Sequence, residues 1–215
     1  MNETTFSTAL FGPLCRDLYR DSNNFTRRPI SAGEQRTREN LAALYRILDL
    51  YGMSDLANQE VSARIADEPN RYLVHPYGYF YDEITASCLI RIDEHGLPVD
   101  DAPWLNDGGQ NLAKWIFNQR EDIHYFIHGH CENVMAESCL PEGLLPLSQP
   151  AVYLSNLVGY IDYEFVEDET FGQKFMQHVA HHDILISRNH GYYWLGRTAE
   201  EAFFRAYYLR QACEV

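Results

Sequence analysis

Two histidines separated by one residue are the feature of this sequence with the clearest potential for chemistry. His128 and His130 lie in the apolar segment 123–130, whose pattern predicts a β-strand. Because residues two apart on a strand project from the same face, both imidazoles could bind one metal ion. This spacing also occurs in strands whose histidines only form hydrogen bonds, so a metal site requires a third ligand.

His190 is the candidate for that third ligand. It lies in the predicted turn 189–191 between two apolar strands, where Gly191 allows a backbone conformation that would direct the ring toward the sheet edge. Three neutral imidazoles bind a divalent transition metal and leave a coordination position free, as in catalytic sites. A competing trio, at the end of a predicted helix where histidines can complement the helix dipole, consists of His178, His181 and His182.

The elements that must position these residues follow from caps and periodicity. Ser31 and Glu34 match a capping box, which predicts a helix that runs to about Tyr51 and ends at Gly52. A second capping box at Thr198 opens the last helix. The remaining predicted elements are strands within 61–93, a loop over 97–109, a short helix over 111–119, a helix over 131–139, a strand near 151–154, a less definite stretch through 160–163, a helix over 169–181, and strands over 184–187 and 192–195.

Composition indicates one globular domain and limits the partners. The chain has 215 residues, 46% hydrophobic and 22% charged, and a net charge of −14 that repels nucleic acid and anionic membranes. Five scattered cysteines without a C-x-x-C pair predict a reduced, cytoplasmic setting, and we expect neither a secretory signal nor a membrane span. We expect residues 1–30 to be an N-terminal extension that packs on the domain or on a neighbouring subunit, and 31–215 to be the domain.

Four segments together resemble a known family. The string FIHGHCENVMAES is similar to the strand and helix that carry two adjacent metal ligands in the class II aldolase/adducin family, and ILISRNHGYYWLGRTAEEAFFRAYYLRQAC is similar to its C-terminal block. Upstream, ENLAALYRILDLYGMSDLANQEVSARI and YLVHPYGYFYDEITASCLIRIDEHG resemble its opening helix and its strand pair around a Pro-x-Gly turn. The resemblance covers the chain from about residue 35 to 213.

This resemblance implies a fold, a metal and an assembly. The fold is α/β, with three α/β/α layers around a central, largely antiparallel mixed sheet, and the family usually forms homotetramers with sites at subunit interfaces. His128, His130 and His190 take the ligand positions of a divalent metal, zinc first, with iron or manganese as alternatives. In the family's sugar-phosphate enzymes the metal polarises a substrate carbonyl or holds an enediolate, and a glutamate transfers protons.

The sequence departs from the family where that glutamate is expected. The position falls within 107–110, where Asp107 is the nearest carboxylate but is better explained as a helix N-cap, and where the neutral amide of Gln110 cannot take a proton. The candidate catalytic residues are Tyr77, Glu132 and Gln110, with Glu83 and Glu137 as further acids. Surface solvation is the alternative explanation for each of the three glutamates.

The phosphate-holding elements of the family are also altered. Its Gly-Asn pair is Gln59-Glu60 here, and the serine of its Pro-Ser-Gly turn is Tyr77; Glu60 would repel a phosphate. These changes favour a non-phosphorylated substrate. An aromatic cluster suggests an apolar or aromatic substrate, although the same residues could be ordinary core: Tyr77, Tyr79, Phe80 and Tyr81.

Three residues are candidates for substrate binding: Arg64, Ser62 and Tyr79. Arg64 could form a bidentate pair with a substrate carboxylate, although an ion pair with Asp55 or Glu83 would explain it equally well.

Three functional hypotheses follow. The first is a divalent-metal-dependent lyase of aldolase or decarboxylase type that stabilises an enolate of a small carbonyl substrate, aromatic or carboxylate-bearing. The second keeps the same three-histidine site but uses Fe(II) for oxygen chemistry. The third is a binding module without catalysis, as the adducin branch of the family implies. Metal analysis after anaerobic purification, together with oxygen uptake on aromatic 2-oxo or 2-hydroxy acids, separates the first two, and the presence of all three ligand positions speaks against the third.

Overall fold

Seven strands form one mixed sheet in the computed structural model, which describes residues 28–99, 105, 107–164 and 169–215. The strands are β1 (Glu60–Ile65), β2 (Glu68–Val74), β3 (Ile90–Asp93), β4 (Tyr125–Gly129), β5 (Val158–Asp162), β6 (Ile184–Arg188) and β7 (Gly191–Gly196). Their order in the sheet is β3-β2-β1-β4-β7-β6-β5. Only the β5–β6 pair is parallel, so the prediction of a largely antiparallel mixed sheet is confirmed.

Helices cover both faces of this sheet. Over the described ranges they are α1 (Ala32–Leu50), α2 (Asp107–Gln119), α3 (Glu132–Ser138), α4 (Gln149–Leu154), α5 (Glu169–Val179) and α6 (Ala199–Cys213), with a 3-10 turn at Tyr81–Glu83. On one face Phe117 of α2 contacts Phe126, and Phe175 of α5 contacts Tyr193. On the other face Tyr45 of α1 donates to the carbonyl of Val61. The predicted three-layer α/β/α architecture is therefore confirmed.

The first helix begins and ends as its sequence predicts. The Ser31 hydroxyl accepts a hydrogen bond from the Glu34 amide at 2.9 Å, and Gly52 leaves the helix with φ of +62°. The second half of the expected capping box has a different partner, because the Glu34 carboxylate binds the guanidinium groups of Arg28 and Arg38. Burial of this carboxylate favours two charged partners over one backbone amide.

The predicted strand near 151–154 is wrong, since these residues belong to α4. Ser148 caps this helix by accepting from the Ala151 amide, and a proline lies in its first turn. Only Ala151 and Leu154 are buried, which is a helical spacing, while Val152 and Tyr153 are exposed. The less definite stretch around 160–163 overlaps β5, which begins at Val158 and whose pairing with β6 supplies the order that its short sequence does not indicate.

The helix predicted over 111–119 begins four residues earlier, at Asp107, and buries Leu112, Trp115 and Ile116 as expected. The proposed extension 1–30 lies almost entirely outside the described residues. Within the described part of the chain, no helix combines the length and apolar character that a membrane crossing requires.

Candidate metal centre

The end of the central strand β4 carries the first two histidines. His128 is the penultimate residue of β4, and His130 directly follows the last residue of the strand, Gly129. Gly129 is required here because a Cβ at this position would lie 2.4 Å from the Tyr192 hydroxyl. That hydroxyl accepts from the Cys131 amide at 3.2 Å, so Tyr192 fixes the backbone directly after His130.

The turn between β6 and β7 brings His190 to the same place. The positive φ in this turn belongs to Asn189 (+58°) rather than to Gly191, so the expected role of the glycine is corrected. Gly191 instead permits a close approach of strands, because a Cβ there would lie 2.4 Å from the Gly129 carbonyl oxygen and 2.8 Å from His130 Cδ2. The absence of a side chain lets the two histidine-bearing segments meet.

The three imidazoles converge in the way that metal ligands do. One ring nitrogen of each of His128, His130 and His190 lies within 4.8 Å of those of the other two. The Nε2 atoms of His130 and His190 are 3.3 Å apart. Two nitrogens bound to a tetrahedral zinc at about 2.1 Å would be separated by about 3.4 Å, so this pair already has the spacing of ligands.

Neighbouring groups determine which nitrogen of each ring is directed inward. His128 Nδ1 lies 2.9 Å from the Tyr192 carbonyl oxygen, which can only accept, so this nitrogen carries the proton. His130 Nδ1 lies 3.3 Å from a carboxylate oxygen of Asp55. Both contacts leave Nε2 with its lone pair free, and a carboxylate or carbonyl behind a histidine is the usual outer partner of a metal ligand.

Burial keeps the three rings neutral. Loss of solvent lowers the pKa of His128 well below its usual value, with further lowering from the other two histidines. Burial lowers the pKa of His190 to about 4 and also lowers that of His130, although the Asp55 carboxylate opposes the shift. Neutral imidazole is the form that binds metals, so the site is prepared for a cation at neutral pH.

Aromatic rings support two of the histidines from outside. Tyr163, directly after β5, stacks on His190 with ring centres 4.1 Å apart and an interplanar angle of 15°. Tyr193, the partner of His128 across the β4–β7 ladder, stacks on that ring at 4.5 Å. These contacts restrict ring rotation, which lowers the entropy cost of forming a defined coordination geometry.

A buried polar network adjoins the site on β1. Glu60, which is 2% exposed, pairs with His128 across the β1–β4 ladder, so both side chains lie on the same face. One Glu60 oxygen accepts from the Ser62 hydroxyl at 2.5 Å, and the other lies 3.2 Å from His75 Nδ1. His75 Nδ1 also lies 2.9 Å from the Tyr45 hydroxyl.

Arg64 does not reach this site. Its guanidinium donates four hydrogen bonds to main-chain oxygens, of which two belong to the last turn and end of α2, namely Phe117 and Arg120. The other two acceptors are the carbonyls of Ile123 and Pro69. Arg64 therefore closes the carboxyl end of a helix, a position that favours a cation, and these four hydrogen bonds involve neither Asp55 nor Glu83.

The other two expected substrate-binding residues are also buried. Ser62 is fully enclosed and its hydroxyl is occupied by Glu60. Tyr79 is 4% exposed and belongs to the hydrophobic core, as does Tyr81, while Phe80 is exposed. The aromatic cluster 77–81 is therefore divided between core and surface and does not form one pocket wall.

The expected catalytic residues occupy three different environments. Tyr77 is half-buried in the turn after β2, Gln110 is half-buried in α2, and Glu132 is exposed in the first turn of α3, where a carboxylate complements the helix dipole. Asp107 is the first residue of α2. Glu83 accepts from the Phe80 amide and Glu137 accepts from the Tyr160 hydroxyl.

The competing trio His178, His181 and His182 forms no ligand group. Among the described residues, the only set of three or more potential ligands that converge is that of His128, His130 and His190. His182 instead packs against Gly159 of β5.

Several residues around the site could not have been found from the sequence. Asp55 lies in the loop between α1 and β1, and nothing in its spacing relates it to His130. Tyr163 follows a strand whose limits the sequence leaves open. Glu60 could have been noticed, because a charged residue is unexpected in a strand that is fully buried. Its partners, however, depend on the register of β1 with β4, which the sequence does not show.

A three-layer domain with three converging imidazoles at one end of its central strands is an arrangement able to hold one divalent metal ion. Residues 39–215 match the family model described as the class II aldolase and adducin N-terminal domain. The chain belongs to this family, which includes metal-dependent lyases.

Relatives with different names share the domain. The chain is 35% identical over 186 residues to a protein of Caulobacter vibrioides named "Putative aldolase class 2 protein", covering 86% of this chain and 72% of that one. It is also 35% identical over 188 residues to gamma-adducin of Rattus norvegicus, covering 85% of this chain but only 26% of the adducin. The domain therefore occurs both nearly alone and within longer proteins.

Solved structures agree with the architecture. An aldolase II superfamily protein from Pseudomonas syringae has a TM-score of 0.83 and 31% identity, covering 86% of this chain and 76% of that chain. L-fuculose 1-phosphate aldolase from Glaciozyma antarctica has a TM-score of 0.76 at 20% identity, covering 88% and 77%, and shows the same fold.

Proposed function

We propose that this chain is a divalent-metal-dependent carbon–carbon lyase, of aldolase or decarboxylase type, that acts on a small carbonyl compound without a phosphate group. The observation that carries the proposal is the convergence of three neutral imidazoles, with the Nε2 atoms of His130 and His190 already 3.3 Å apart. No carboxylate or thiol of the described residues joins this ligand group, so positions on the ion would remain available for a substrate.

His128, His130 and His190 would hold the ion, and the donor set fits zinc first, with iron or manganese as alternatives. A bound divalent ion supplies Lewis acidity that stabilises the negative charge of an enolate oxygen. The protein's own groups provide the orientation: the Tyr192 carbonyl holds His128, the Asp55 carboxylate holds His130, and Tyr163 holds His190.

The substrate class follows from the charge beside the site. Glu60 lies on the same face as His128, and its buried carboxylate would repel a phosphate or another strongly anionic substituent. Because Arg64 is fully engaged at the end of α2, the support for a carboxylate-bearing substrate is reduced. We therefore favour a neutral carbonyl compound, with the half-buried Tyr77 as a catalytic-site residue that contacts it.

We further propose a homotetramer in the cytoplasm with sites at subunit interfaces, by analogy with sugar-phosphate aldolases of this fold. Light scattering at several protein concentrations tests the assembly. A monomer at micromolar concentration that retains metal-dependent activity would contradict it.

The experiment that tests the function begins with elemental analysis of the native protein. The protein is then depleted with a chelator, reloaded with zinc, manganese or anaerobic iron, and incubated with neutral and carboxylate-bearing β-hydroxy carbonyl compounds and 2-oxo acids. NMR follows the release of aldehyde or loss of carboxylate. We expect cleavage that depends on the metal and on His190; cleavage by the metal-free protein would contradict the proposal.

The same experiment distinguishes the alternatives. Oxygen uptake with iron, without anaerobic cleavage, would identify an oxygenase on the same three histidines. A protein that binds no metal at all would support a binding module.

A further inference from the structure

Glu60 is a buried acid in a position where a carboxylate is costly. It lies in β1, all six residues of which are buried, and only 2% of its surface is exposed. Burying a carboxylate is unfavourable unless hydrogen bonds compensate. The Glu60 carboxylate has two described partners, the Ser62 hydroxyl and His75 Nδ1. The same His75 nitrogen also contacts the Tyr45 hydroxyl.

The first turn of α2 leaves room for this carboxylate. A Cβ at Gly109 would lie 2.2 Å from Glu60 Oε2 and 2.7 Å from its carboxyl carbon. The Glu60 carboxylate therefore occupies the volume that any side chain at position 109 would fill. The amino-terminal turn of a helix also favours negative charge, because its backbone N–H groups point toward that end.

The same carboxylate is directed toward the side of the sheet that carries the histidines. Glu60 and His128 are direct partners in the β1–β4 ladder, and paired residues project on one face with Cβ atoms about 5 Å apart. Glu60 does not belong to the group of converging ligand atoms, so it lies beside the candidate metal centre and not in it.

We infer that Glu60 is the proton-transfer residue of this site. In the cleavage of a β-hydroxy carbonyl compound, the hydroxyl proton moves to the Glu60 carboxylate as the C–C bond breaks and the O–H electron pair becomes the C=O bond of the released aldehyde. The electron pair of the C–C bond remains on the other fragment as an enolate. The protonated carboxyl then returns its proton to the enolate carbon, which regenerates the carboxylate and balances the reaction.

This inference rests on the proposed lyase function, and its test separates the two. Metal-loaded protein is incubated in D₂O with pyruvate or hydroxyacetone, and NMR measures hydrogen exchange at the carbon next to the carbonyl. We expect Glu60→Gln to slow exchange by about 100-fold to 10,000-fold, the usual contribution of a positioned acid or base, while metal content and melting temperature stay unchanged. Glu39→Gln, an exposed site on α1, should behave like the wild type.

Two further variants make the test independent of one substitution. Gly109→Ala should reproduce the loss, since its methyl group displaces the Glu60 carboxylate. Glu60→Ala opens a space of carboxylate size, and added formate should restore part of the exchange.

Exchange by Glu60→Gln within about threefold of the wild type would overturn the assignment and leave the lyase proposal standing. Loss of metal from this variant would make Glu60 a structural support of the metal centre and would also contradict the assignment. Absence of both exchange and cleavage in the metal-loaded wild type would refute the lyase function and this inference with it.

Discussion

The two ends of strands β4 and β7 carry polar clusters of opposite character. At one end Arg120, Asp122 and Asp183 form ion pairs at 2.7–2.8 Å, and Arg205 binds Asp183 at 2.9 Å. At the other end three imidazoles converge, and the one carboxylate that contacts them, Asp55, lies behind His130. The first cluster pairs its charges with each other, whereas the second directs lone pairs at a common point.

This difference separates a structural cluster from the candidate functional one. Asp122 and Asp183 raise the pKa of Arg120, which shows that its charged form is stabilised within the fold. At the histidine end burial lowers the pKa of His128, His130 and His190, so the fold keeps three desolvated imidazoles in their neutral form. The Asp55 carboxylate and the Tyr192 carbonyl engage only the outer nitrogens of His130 and His128, so the inner nitrogens are the ones available to an external ligand.

The largest expected effect comes from removing one histidine. His190→Ala should weaken the binding of zinc by about 200-fold to 1,000-fold, because a site of this kind gains roughly 3–4 kcal/mol per ligand. Circular dichroism and melting of the metal-free protein should change little. His124→Ala, a histidine just before β4, is the control; equal metal loss in both variants would contradict the assignment of ligands.

Removing the carboxylate behind His130 should have a smaller effect on the same property. Asp55→Asn should lower zinc affinity by about 10-fold to 100-fold, the usual effect of an outer partner of a ligand. The measurement is a competition titration with a chromophoric chelator. Asp82→Asn, an exposed acid on the 3-10 turn, serves as the control, and unchanged affinity in Asp55→Asn would show that this contact does not orient the ring.

At the ion-pair end the same kind of substitution should affect stability alone. Asp183→Asn removes the common partner of Arg120 and Arg205, whose side chains are 15% and 8% exposed, and should cost about 2 kcal/mol of unfolding free energy. Urea unfolding measures this loss. Zinc affinity should stay at the wild-type value, and a parallel loss of zinc would mean that the two ends of the strands are coupled.

The smallest effect is a pH dependence at Asp122. A hydrogen bond from Arg120 lowers the pKa of this carboxyl to about 2 from its usual 3.8. A depressed pKa adds stability above the usual value that is lost as the pH falls toward the folded value. Asp122→Asn should be less stable than the wild type by under about 1 kcal/mol above pH 4, since the group is 44% exposed, and the difference should shrink between pH 4 and 2. A constant difference across this range would contradict the pairing.

Local signals explain why much of this fold was predictable. Ser31 and Thr198 cap the helices that they indicate, and the short apolar run before His128 defines β4, all of whose residues are buried. The segment 151–154 was wrongly predicted as a strand because four consecutive apolar residues fit a strand or a helix. Only the cap at Ser148 decides between the two.

The site was predictable where its residues come from one strand and one turn. His128, His130 and His190 could be grouped from spacing and family resemblance, but their outer partners could not. Asp55 contacts His130 from the loop between α1 and β1. Arg64 binds carbonyl groups at the end of α2 instead of the site. Such contacts depend on tertiary packing, which no spacing in the sequence encodes.

X-ray absorption at the metal edge of the purified protein determines whether the three histidines share one ion. We expect one metal ion per chain with three imidazole nitrogens at about 2.0–2.1 Å and one or more light oxygen ligands, and His190→Ala should lose one imidazole from that shell. Sulfur ligands at about 2.3 Å, or an imidazole shell unchanged in His190→Ala, would show that these three histidines do not share one ion.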